Sequence, residues 1–489
     1  MLRTICFAVL FLAAGNAQSL DEKVSQLLAE PAAQRAVWGI HVVDLASGNS
    51  VYARNAGIPM TPASNTKLLS TVLSIARLGP DYRFETRILA ANPPDSTGRI
   101  TGDLRLVGGG DPTMSARDIP YKKGRIEGDP LKPLAELADK IVQAGVRAID
   151  GDIIGDDTRW PWLPYPDGWT MDDTIWEYGA PVSALTINDN ALDLRIRPGR
   201  KPGETAEITL TPSVEYYTIH NTLKTQAGAP RNITVDRQPN SHVLLIGGTA
   251  APNGGAATQL IAIDDPATFA AQALAELLRA RGVTIRGSVR AAHRLPGQPY
   301  QAAVGFELAK RVSPPLIEIL KIVNKVSQNL DAEIVLREVG FVKKKEGTAD
   351  AAHEEMTEFL MGLGLDRKDF ALADGSGLSR RTLASPTTFT TVLRYMHNSP
   401  WREDFRDLLP IAGEDGTLSS RFRGFDRVTA IRAKTGSISH VAALSGYAGE
   451  DDGKRLAFSI IANNYTASSA EIRSIIDKIA VAILEEGNR

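Results

Sequence analysis

A gap of 263 residues separates two short motifs that would have to meet if they served one site. The first motif, Ser64-Asn-Thr-Lys67, begins a stretch with helical periodicity, and the second is Ser327-Gln-Asn329. A third motif, Lys434-Thr-Gly436, follows Ser327 by 107 residues and lies in a stretch typical of a β-strand. If the three motifs share a site, the chain between the first two must fold as an insertion that leaves one unit and returns to it.

Ser64 and Lys67 have the spacing that brings two side chains together on a helix. Residues i and i+3 lie on the same helical face, so the hydroxyl and the amine can meet. A serine needs a neighbouring base to attack a carbonyl, and a lysine can be that base only if burial or a second cation keeps it neutral. The pair is therefore a candidate acylation centre without histidine. The alternative is an ordinary helix start, with Ser64 as the N-cap and Lys67 as a solvated charge.

The order of the motifs gives each of them more weight. Lys434-Thr-Gly436 offers a cation, a hydroxyl and a small residue on one strand, which suits a substrate carboxylate and backbone. Ser-x-Asn is a weak pattern alone, because Ser47-Gly-Asn49 also matches it and is typical of a hairpin turn. Only the succession Ser-x-x-Lys, Ser-x-Asn, Lys-Thr-Gly identifies Ser327 and Asn329 as the second element.

The amino-terminal segment, 1–17, has the features of a secretory signal. It contains one basic residue, a short apolar core and small residues before a cleavage point after Ala17. The only cysteine, Cys6, lies inside this segment, so the mature chain would have neither a disulfide nor a thiolate nucleophile. We expect export to the periplasm. The net charge of −2 gives no reason to expect a nucleic-acid partner, and we expect no transmembrane segment.

Together, the three motifs resemble those of the S13 peptidases, the D-alanyl-D-alanine carboxypeptidases/endopeptidases also called class C low-molecular-mass penicillin-binding proteins. The resemblance extends from about Gly39 to Asn464, and five further runs carry it: Gly108–Thr113, Gly155–Thr158, Tyr178–Leu185, Asp374–Arg380 and Gly413–Leu418. It implies an α+β fold of the serine β-lactamase/DD-peptidase-like transpeptidase type, with an antiparallel sheet flanked by helices. A nested α/β domain, itself carrying an all-β domain, would complete the architecture.

The long gap has an organisation that agrees with this implied architecture. Two stretches with helical periodicity, 131–145 and 269–282, share Leu-Ala-Glu-Leu and each precede a strand pattern, 146–154 and 283–289. They indicate a duplicated helix–strand unit, whereas the chain between them alternates with period two. One large irregular domain is the alternative. The predicted division is a catalytic domain at 18–88 and 306–489, an inserted α/β domain at 89–187 and 255–305, and a nested β domain at 188–254. Strand patterns at 440–448 and 454–462, joined by a turn at Glu450–Gly453 and followed by a helix, predict the end of the catalytic domain.

The resemblance implies a catalytic role for five motif residues. Ser64 would be the nucleophile, and Lys67 would take its proton, kept neutral by burial and by the nearby Lys434. Ser327 and Asn329 would relay the proton to the leaving D-alanine and hold the acyl side chain. An oxyanion hole would be formed by the backbone N–H groups of Ser64 and Ser437.

The same resemblance implies the substrate-binding residues. Lys434, Thr435 and Gly436 would bind the terminal carboxylate and the backbone of the substrate, and Asp157, Arg380 and Ser439 would add contacts. For Asp157, a structural salt bridge is an equal expectation. The implied substrates are peptidoglycan stem peptides, with β-lactam antibiotics as covalent inhibitors. We expect no cofactor, and no metal, because the seven histidines lack ligand spacing.

Two other functions stay open at this point. A serine β-lactamase or esterase could be built on the same fold, although no class A-type glutamate base can be identified in the sequence. A non-catalytic peptidoglycan-binding protein is the second alternative. The sequence also leaves open the balance of carboxypeptidase and endopeptidase activity, the protein partners and a homo-oligomer.

Overall fold

The computed structural model describes residues 18–124, 128–239, 241–449 and 455–487. The predicted signal segment and the predicted turn at Glu450–Gly453 lie outside these residues. The helices are α1 (Leu20–Leu28), α2 (Thr66–Leu78), α3 (Lys132–Gln143), α4 (Pro266–Ala280), α5 (Leu316–Lys325), α6 (Asn329–Lys344), α7 (Ala349–Gly362), α8 (Pro386–His397), α9 (Arg402–Leu408) and α10 (Ser469–Gly487). The strands are β1 (Val37–Asp44), β2 (Ser50–Arg54), β3 (Glu85–Ala90), β4 (Arg99–Ile100), β5 (Leu104–Val107), β6 (Ala148–Ile149), β7 (Ile153–Pro161), β8 (Ala191–Arg197), β9 (Glu207–Thr211), β10 (Thr218–Asn221), β11 (Lys224–Thr225), β12 (Asn232–Asp236), β13 (Val243–Ala250), β14 (Ala257–Ala262), β15 (Thr284–Ile285), β16 (Val289–Arg294), β17 (Phe306–Val312), β18 (Phe370–Ala371), β19 (Leu383–Ala384), β20 (Ile431–Ile438), β21 (Val441–Ala448) and β22 (Leu456–Asn463).

An antiparallel sheet with the strand order β2-β1-β22-β21-β20 forms the base of the catalytic unit. Side chains alternate between its two faces. On one face, residues such as Ile460 pack with α1 and α10, and on the other, residues such as Ile461 pack with α2 and α8. Ser47 and Asn49 lie in the hairpin between β1 and β2, as their turn pattern predicts.

Helix α2 is the central helix of this unit. It contacts α5, α6, α7 and α8, and every residue from Thr66 to Ile75 is buried. A helix buried on all sides cannot leave a polar side chain to water, so each one must find a partner inside the protein. Lys67 belongs to this buried stretch.

The chain between the first two motifs forms further sheets. The largest has the order β16-β7-β5-β3-β17, in which β7 is parallel to β5 and β16 while β3 is antiparallel to β5 and β17. Helices α3 and α4 pack against it. Strand β3 crosses the predicted domain junction at 88/89, and β17 begins directly after the predicted junction at 305/306. The sheet therefore begins where the catalytic unit ends.

The two predicted helix–strand units lie side by side. β6, which follows α3, pairs in parallel with β15, which follows α4, and Ile149 is directly opposite Ile285. Each predicted strand is interrupted, however, so that β6 and β15 are followed by the separate strands β7 and β16. The interruption occurs where the chains come too close for a side chain, since a Cβ on Gly287 would lie 2.2 Å from the carbonyl oxygen of Gly151.

The part between these units is all β, as its alternation predicts. β8 pairs with β9 and β14, and β13 pairs with β10, β11 and β12. Because β14 is paired with β8 along its length, the all-β arrangement extends past residue 254 to Ala262. Among the described helices, none has the length and apolar character needed to cross a membrane.

Candidate active site

Ser64 lies in a short 3-10 turn, Ala63–Asn65, that leads directly into α2. Ala63 has a φ of 47°, in the left-handed region that a residue with a Cβ seldom adopts. The hydroxyl of Thr66 donates a 2.9 Å hydrogen bond to the carbonyl of Ala63 and holds this turn. Ser64 stays partly accessible, whereas Lys67 is fully buried. The turn therefore presents a hydroxyl to solvent with an amine beneath it.

The amine of Lys67 has three hydrogen-bond partners. Nζ lies 2.9 Å from Ser64 Oγ, 2.6 Å from Asn329 Oδ1 and 2.8 Å from the carbonyl oxygen of Ser376. The amide and carbonyl oxygens can only accept, so they engage two N–H groups of Lys67. A neutral amine has two N–H groups and one lone pair, and the lone pair is then directed at the third partner, the hydroxyl of Ser64. This geometry suits proton transfer from Ser64 to Lys67.

The charge state of Lys67 fits the same arrangement. Burial lowers the pKa of Lys67 to about 7, against the opposing effect of the Asp374 and Glu333 carboxylates. Burial also lowers the pKa of Lys434 well below its usual range, with repulsion from Lys67 as the second cause. Burial is thus the main cause of the lowered pKa of Lys67. Repulsion between the two lysines contributes instead to the lowered pKa of Lys434.

Lys434 is joined to the second motif. Its Nζ donates to Ser327 Oγ at 2.8 Å and to the carbonyl oxygen of Thr435 at 2.9 Å. Ser327 has a left-handed φ of 69° just before α6, and this conformation directs its hydroxyl back toward the strand. α6 begins at Asn329, whose Nδ2 donates to the carbonyl oxygen of Tyr178 at 2.7 Å. The three motifs meet, as their order predicts.

The third motif lies on β20, at the edge of the sheet. Ala433 donates its N–H away from β21, to the carbonyl oxygen of Pro410 at 3.0 Å. Because orientation repeats every two residues, the N–H groups of Thr435 and Ser437 also point away from β21. Gly436 allows the strand to approach the Ser64 turn, since a Cβ there would lie 2.5 Å from the carbonyl oxygen of Pro62. Ser64 and Ser437 line the same cleft.

A loop organised by Asp374 supplies the rest of this side. Asp374 accepts hydrogen bonds from the hydroxyls of Ser376 and Thr382 and from the backbone N–H of Ser379. The loop presents the Ser376 carbonyl to Lys67 and carries Arg380, whose Nη2 donates to the carbonyl oxygen of Ser439 at 2.7 Å. Arg380 and Ser439 both line the cleft beside Ser64, and their contact with substrate stays a prediction.

Behind Lys67 lies a buried carboxyl that the sequence analysis missed. Glu333 Oε1 accepts from the backbone N–H groups of Gly375 and Ser376, both at 2.8 Å, and burial raises the pKa of Glu333 to about 7. The available signal was the four-residue spacing of Asn329, Glu333 and Arg337, which places three polar side chains on one face of α6.

The cleft beside Ser64 has a volume of about 480 Å³, and part of its wall comes from residues 168–178 of the inserted chain. This wall carries Asp172 and Asp173, which the sequence analysis also missed, and Tyr178, which begins one of the runs that carry the family resemblance. The segment has no periodicity, so the only available signal was the pair of adjacent acids.

The structure places Asp157 away from this cleft. Its side chain is 2% exposed and accepts hydrogen bonds from Ser183 and His293, both at 2.9 Å. This position does not support the predicted substrate contact and agrees with the alternative, a structural ion pair. The acids on the cleft wall are Asp172 and Asp173 instead.

A partly accessible serine against a buried lysine of lowered pKa, on a helix beside an antiparallel sheet, defines a serine acyl-transfer enzyme of the β-lactamase/DD-peptidase fold. The model of the family described as D-Ala-D-Ala carboxypeptidase 3 (S13) matches residues 20–484. The chain belongs to this family. Membership confirms the predicted activity, that of a serine-type D-Ala-D-Ala carboxypeptidase of the cell wall. The predicted fold class is confirmed by similarity to a solved penicillin-binding protein.

Similar proteins agree with this assignment. The chain is 34% identical over 478 residues to the D-alanyl-D-alanine carboxypeptidase of Actinomadura sp. (strain R39), covering 95% of this chain and 84% of the relative. It is 28% identical over 473 residues to the penicillin-sensitive carboxypeptidase A of Dictyostelium discoideum, covering 91% and 87%. The solved structure of penicillin binding protein 4 (dacB) from Haemophilus influenzae has a TM-score of 0.81 at 25% identity and covers 96% of this chain and 99% of that one.

Proposed function

We propose that this enzyme cleaves D-Ala-D-Ala ends and cross-links of peptidoglycan stem peptides through an acyl-enzyme on Ser64. The observation that carries the proposal is the set of partners around Lys67. Two oxygens that can only accept bind its N–H groups, at 2.6 and 2.8 Å, so that in the neutral amine the lone pair is left for the hydroxyl of Ser64. Endopeptidase activity would extend the substrates to the cross-link, in which a second peptide takes the place of the terminal D-alanine.

In acylation, Ser64 Oγ forms a bond to the scissile carbonyl carbon and its proton passes to Lys67 Nζ. The C–N bond then breaks, and the proton that Lys67 took from Ser64 passes to the leaving amine through Ser327, whose hydroxyl accepts a hydrogen bond from Lys434. Water adds to the acyl carbon in the second half-reaction, one of its protons is taken up by Lys67, and Ser64 Oγ leaves and regains a proton. Each half-reaction ends with the lysines in their starting state.

The negative charge on the carbonyl oxygen would be stabilised by two backbone N–H groups, those of Ser64 and Ser437. Ser437 is suited to this role because its N–H points away from β21, on the open edge of β20. The terminal carboxylate of the substrate would bind beside Lys434, Thr435 and Gly436. A carboxylate next to Lys434 would favour its protonated form and so offset the cost of burying that charge.

The donor peptide would extend along the acidic wall of the cleft. Asp172 and Asp173 suit an ammonium group on its side chain, while Arg380, held to the carbonyl of Ser439, suits a backbone carbonyl or carboxylate. A β-lactam would acylate Ser64 by the same route and leave slowly. Similarity to a penicillin-sensitive carboxypeptidase and to a penicillin-binding protein supports this part.

Two further elements of the proposal concern the whole chain. Export to the periplasm, with removal of 1–17, rests on the signal-like pattern of that segment. The division into a catalytic unit, an inserted α/β unit and a nested β unit rests on the separate sheets, with the junctions shifted so that β14 belongs to the β unit.

Acylation by a labelled penicillin tests the central claim. The full mature chain should bind the label covalently at Ser64, as peptide mass spectrometry would show, and Ser64→Ala should abolish it. The matched control is Ser47→Ala, which lies in the hairpin and should label normally. Labelling that persists in Ser64→Ala would exclude Ser64 as the nucleophile. Repeated rapid hydrolysis of nitrocefin would favour a β-lactamase instead.

A further inference from the structure

A second cleft opens beside the second and third motifs. It has a volume of about 380 Å³ and begins beside Ser327, where Val326 and Thr417 form part of its lining. The hydroxyl of Thr417 lies 2.8 Å from that of Thr435, so this cleft adjoins the third motif directly. None of the described residues lining it lines the acidic cleft beside Ser64.

The charge of this second cleft is opposite to that of the first. Four cations, Arg117, Lys122, Lys123 and Lys325, line it together with one acid, Asp118. Two of these cations are neutralised nearby, Arg117 by Asp189 at 2.6 Å and Lys325 by Asp415 at 2.5 Å.

The other two cations are exposed. Lys122 lies 3.7 Å from Asp118 in a pair exposed on both sides, and Lys123 donates to the carbonyl oxygen of Glu414. An exposed pair at that distance neutralises little of the charge of Lys122, and a carbonyl contact leaves the full charge on Lys123.

The position of the cleft relative to the reaction decides what can enter it. The leaving amine must lie near the group that returns its proton, and in the proposed mechanism that group is Ser327. The leaving group therefore extends toward Val326 and Thr417. A single D-alanine ends at the Lys434–Thr435 ledge, whereas the leaving part of a cross-link is a whole peptide that carries further free carboxylates.

We propose that the cleft bearing Lys122 and Lys123 is a subsite for the leaving peptide of a cross-link, an acidic peptide whose carboxylates these lysines attract. The proposal rests on the proposed endopeptidase activity and gives the inserted chain a role in it. The segment that carries both lysines belongs to the insertion, so this unit forms one wall of each cleft. The subsite favours cross-links over pentapeptide ends by charge.

The test measures two reactions with the full mature chain: release of D-alanine from a monomeric pentapeptide muropeptide, and cleavage of a cross-linked dimer. In the charge-reversal variant Lys122→Glu/Lys123→Glu, the ratio of kcat/KM for dimer to that for monomer should fall about tenfold, since two attractive contacts become repulsive. The neutral variant Lys122→Gln/Lys123→Gln should show about a threefold fall.

Two controls isolate the charge effect. Arg200→Glu/Lys201→Glu reverses another exposed pair, in the β unit, and should leave the ratio unchanged. A dimer in which only the further carboxylates of the leaving peptide are amidated, with the carboxylate that Lys434 and Thr435 would bind left free, should give the same dimer-to-monomer ratio of kcat/KM in wild type and variant. The unfolding midpoint of each variant shows whether the fold is intact.

Each other outcome contradicts a different claim. A ratio that stays constant in the Lys122/Lys123 variants, including one produced by equal losses on both substrates, would overturn the subsite. Cleavage of the monomer but never of the dimer by wild type would remove the endopeptidase activity and the subsite with it. Cleavage of neither substrate would overturn the proposed function itself.

Discussion

Lys67 is a buried base and His293 a partly buried one, and their pKa values are shifted in opposite directions. Burial lowers the pKa of Lys67 to about 7. Burial also acts to lower the pKa of His293, but hydrogen bonds to Asp157 and Asp265 overcome it and raise that pKa to about 10. His293 lies 2.9 Å from Asp157 and 3.4 Å from Asp265 and is stacked on Trp162, with ring centroids 4.2 Å apart.

The difference lies in the type of partner. Lys67 is held by a hydroxyl, an amide oxygen and a carbonyl oxygen, which give hydrogen bonds without a full negative charge. His293 is held by two carboxylates, which stabilise its charged form. The first arrangement maintains a base that can accept a proton, and the second maintains an ion pair that links β16 to β7 and to the start of α4. The catalytic unit thus stays reactive, while the inserted unit gains cohesion.

Replacement of Lys67 by methionine should have the largest effect. The side chain is similar in length, but the base is lost, and kcat/KM for D-alanine release should fall about a thousandfold or more. Penicillin acylation should slow in parallel, since it uses the same proton transfer. Lys132→Met, at an exposed position on α3, is the matched control. A fall of less than about tenfold would show that another group takes the Ser64 proton.

Asn329→Asp would convert the Lys67 environment into one like that of His293. The new carboxylate would raise the pKa of Lys67, so that the amine is protonated at neutral pH. We expect kcat/KM at pH 7 to fall at least about tenfold, with the acidic limb of the pH–rate profile shifted to higher pH. Asn329→Ala removes the contact without adding charge and should reduce activity without that shift. An unshifted limb in Asn329→Asp would contradict the role of neutral acceptors.

The sequence predicts the residues around Lys67 well. Ser64, Lys67, Ser327 and Lys434 meet because their motifs combine hydroxyl and amine groups at spacings that helices and strands convert into contacts. The long gap also predicts an insertion. Its all-β part, its paired helix–strand units and the turn at Ser47 follow from periodicity and turn chemistry.

The ion pair of His293 and the walls of the two clefts could not be predicted, because they depend on tertiary contacts. Asp157 has the same sequence appearance whether it faces a substrate or a buried histidine, and only the fold, which brings β16 beside β7, decides between them. Asp172 and Lys123 lie in stretches without periodicity, so their places on two cleft walls depend on how the insertion returns to the catalytic unit.

His293→Gln tests the ion pair that His293 forms with Asp157 and Asp265 in the inserted unit. His293 has a folded-state pKa of about 10 against an ordinary 6.5, so its charged form adds stability fully below pH 6.5 and loses that contribution as the pH rises toward 10. The apparent unfolding midpoint should fall by about 2–4 °C at pH 6 and by less at pH 9.5. His220→Gln, at an exposed position, is the control. A loss that is equal at both pH values would mean that the ion pair contributes nothing to stability.

Glu333→Gln should give the smallest and most specific change. The Glu333 carboxylate raises the pKa of Lys67, in opposition to burial, and glutamine retains the oxygen that accepts from Gly375 and Ser376. Loss of the negative charge should therefore lower the pKa of Lys67 and shift the acidic limb of kcat/KM to lower pH. The shift should be less than about one pH unit, because burial raises the pKa of Glu333 itself to about 7 and leaves it only partly ionised there. A shift to higher pH would contradict this electrostatic effect. It would mean that Glu333 acts on Lys67 by positioning the carbonyl of Ser376, which accepts a hydrogen bond from Lys67.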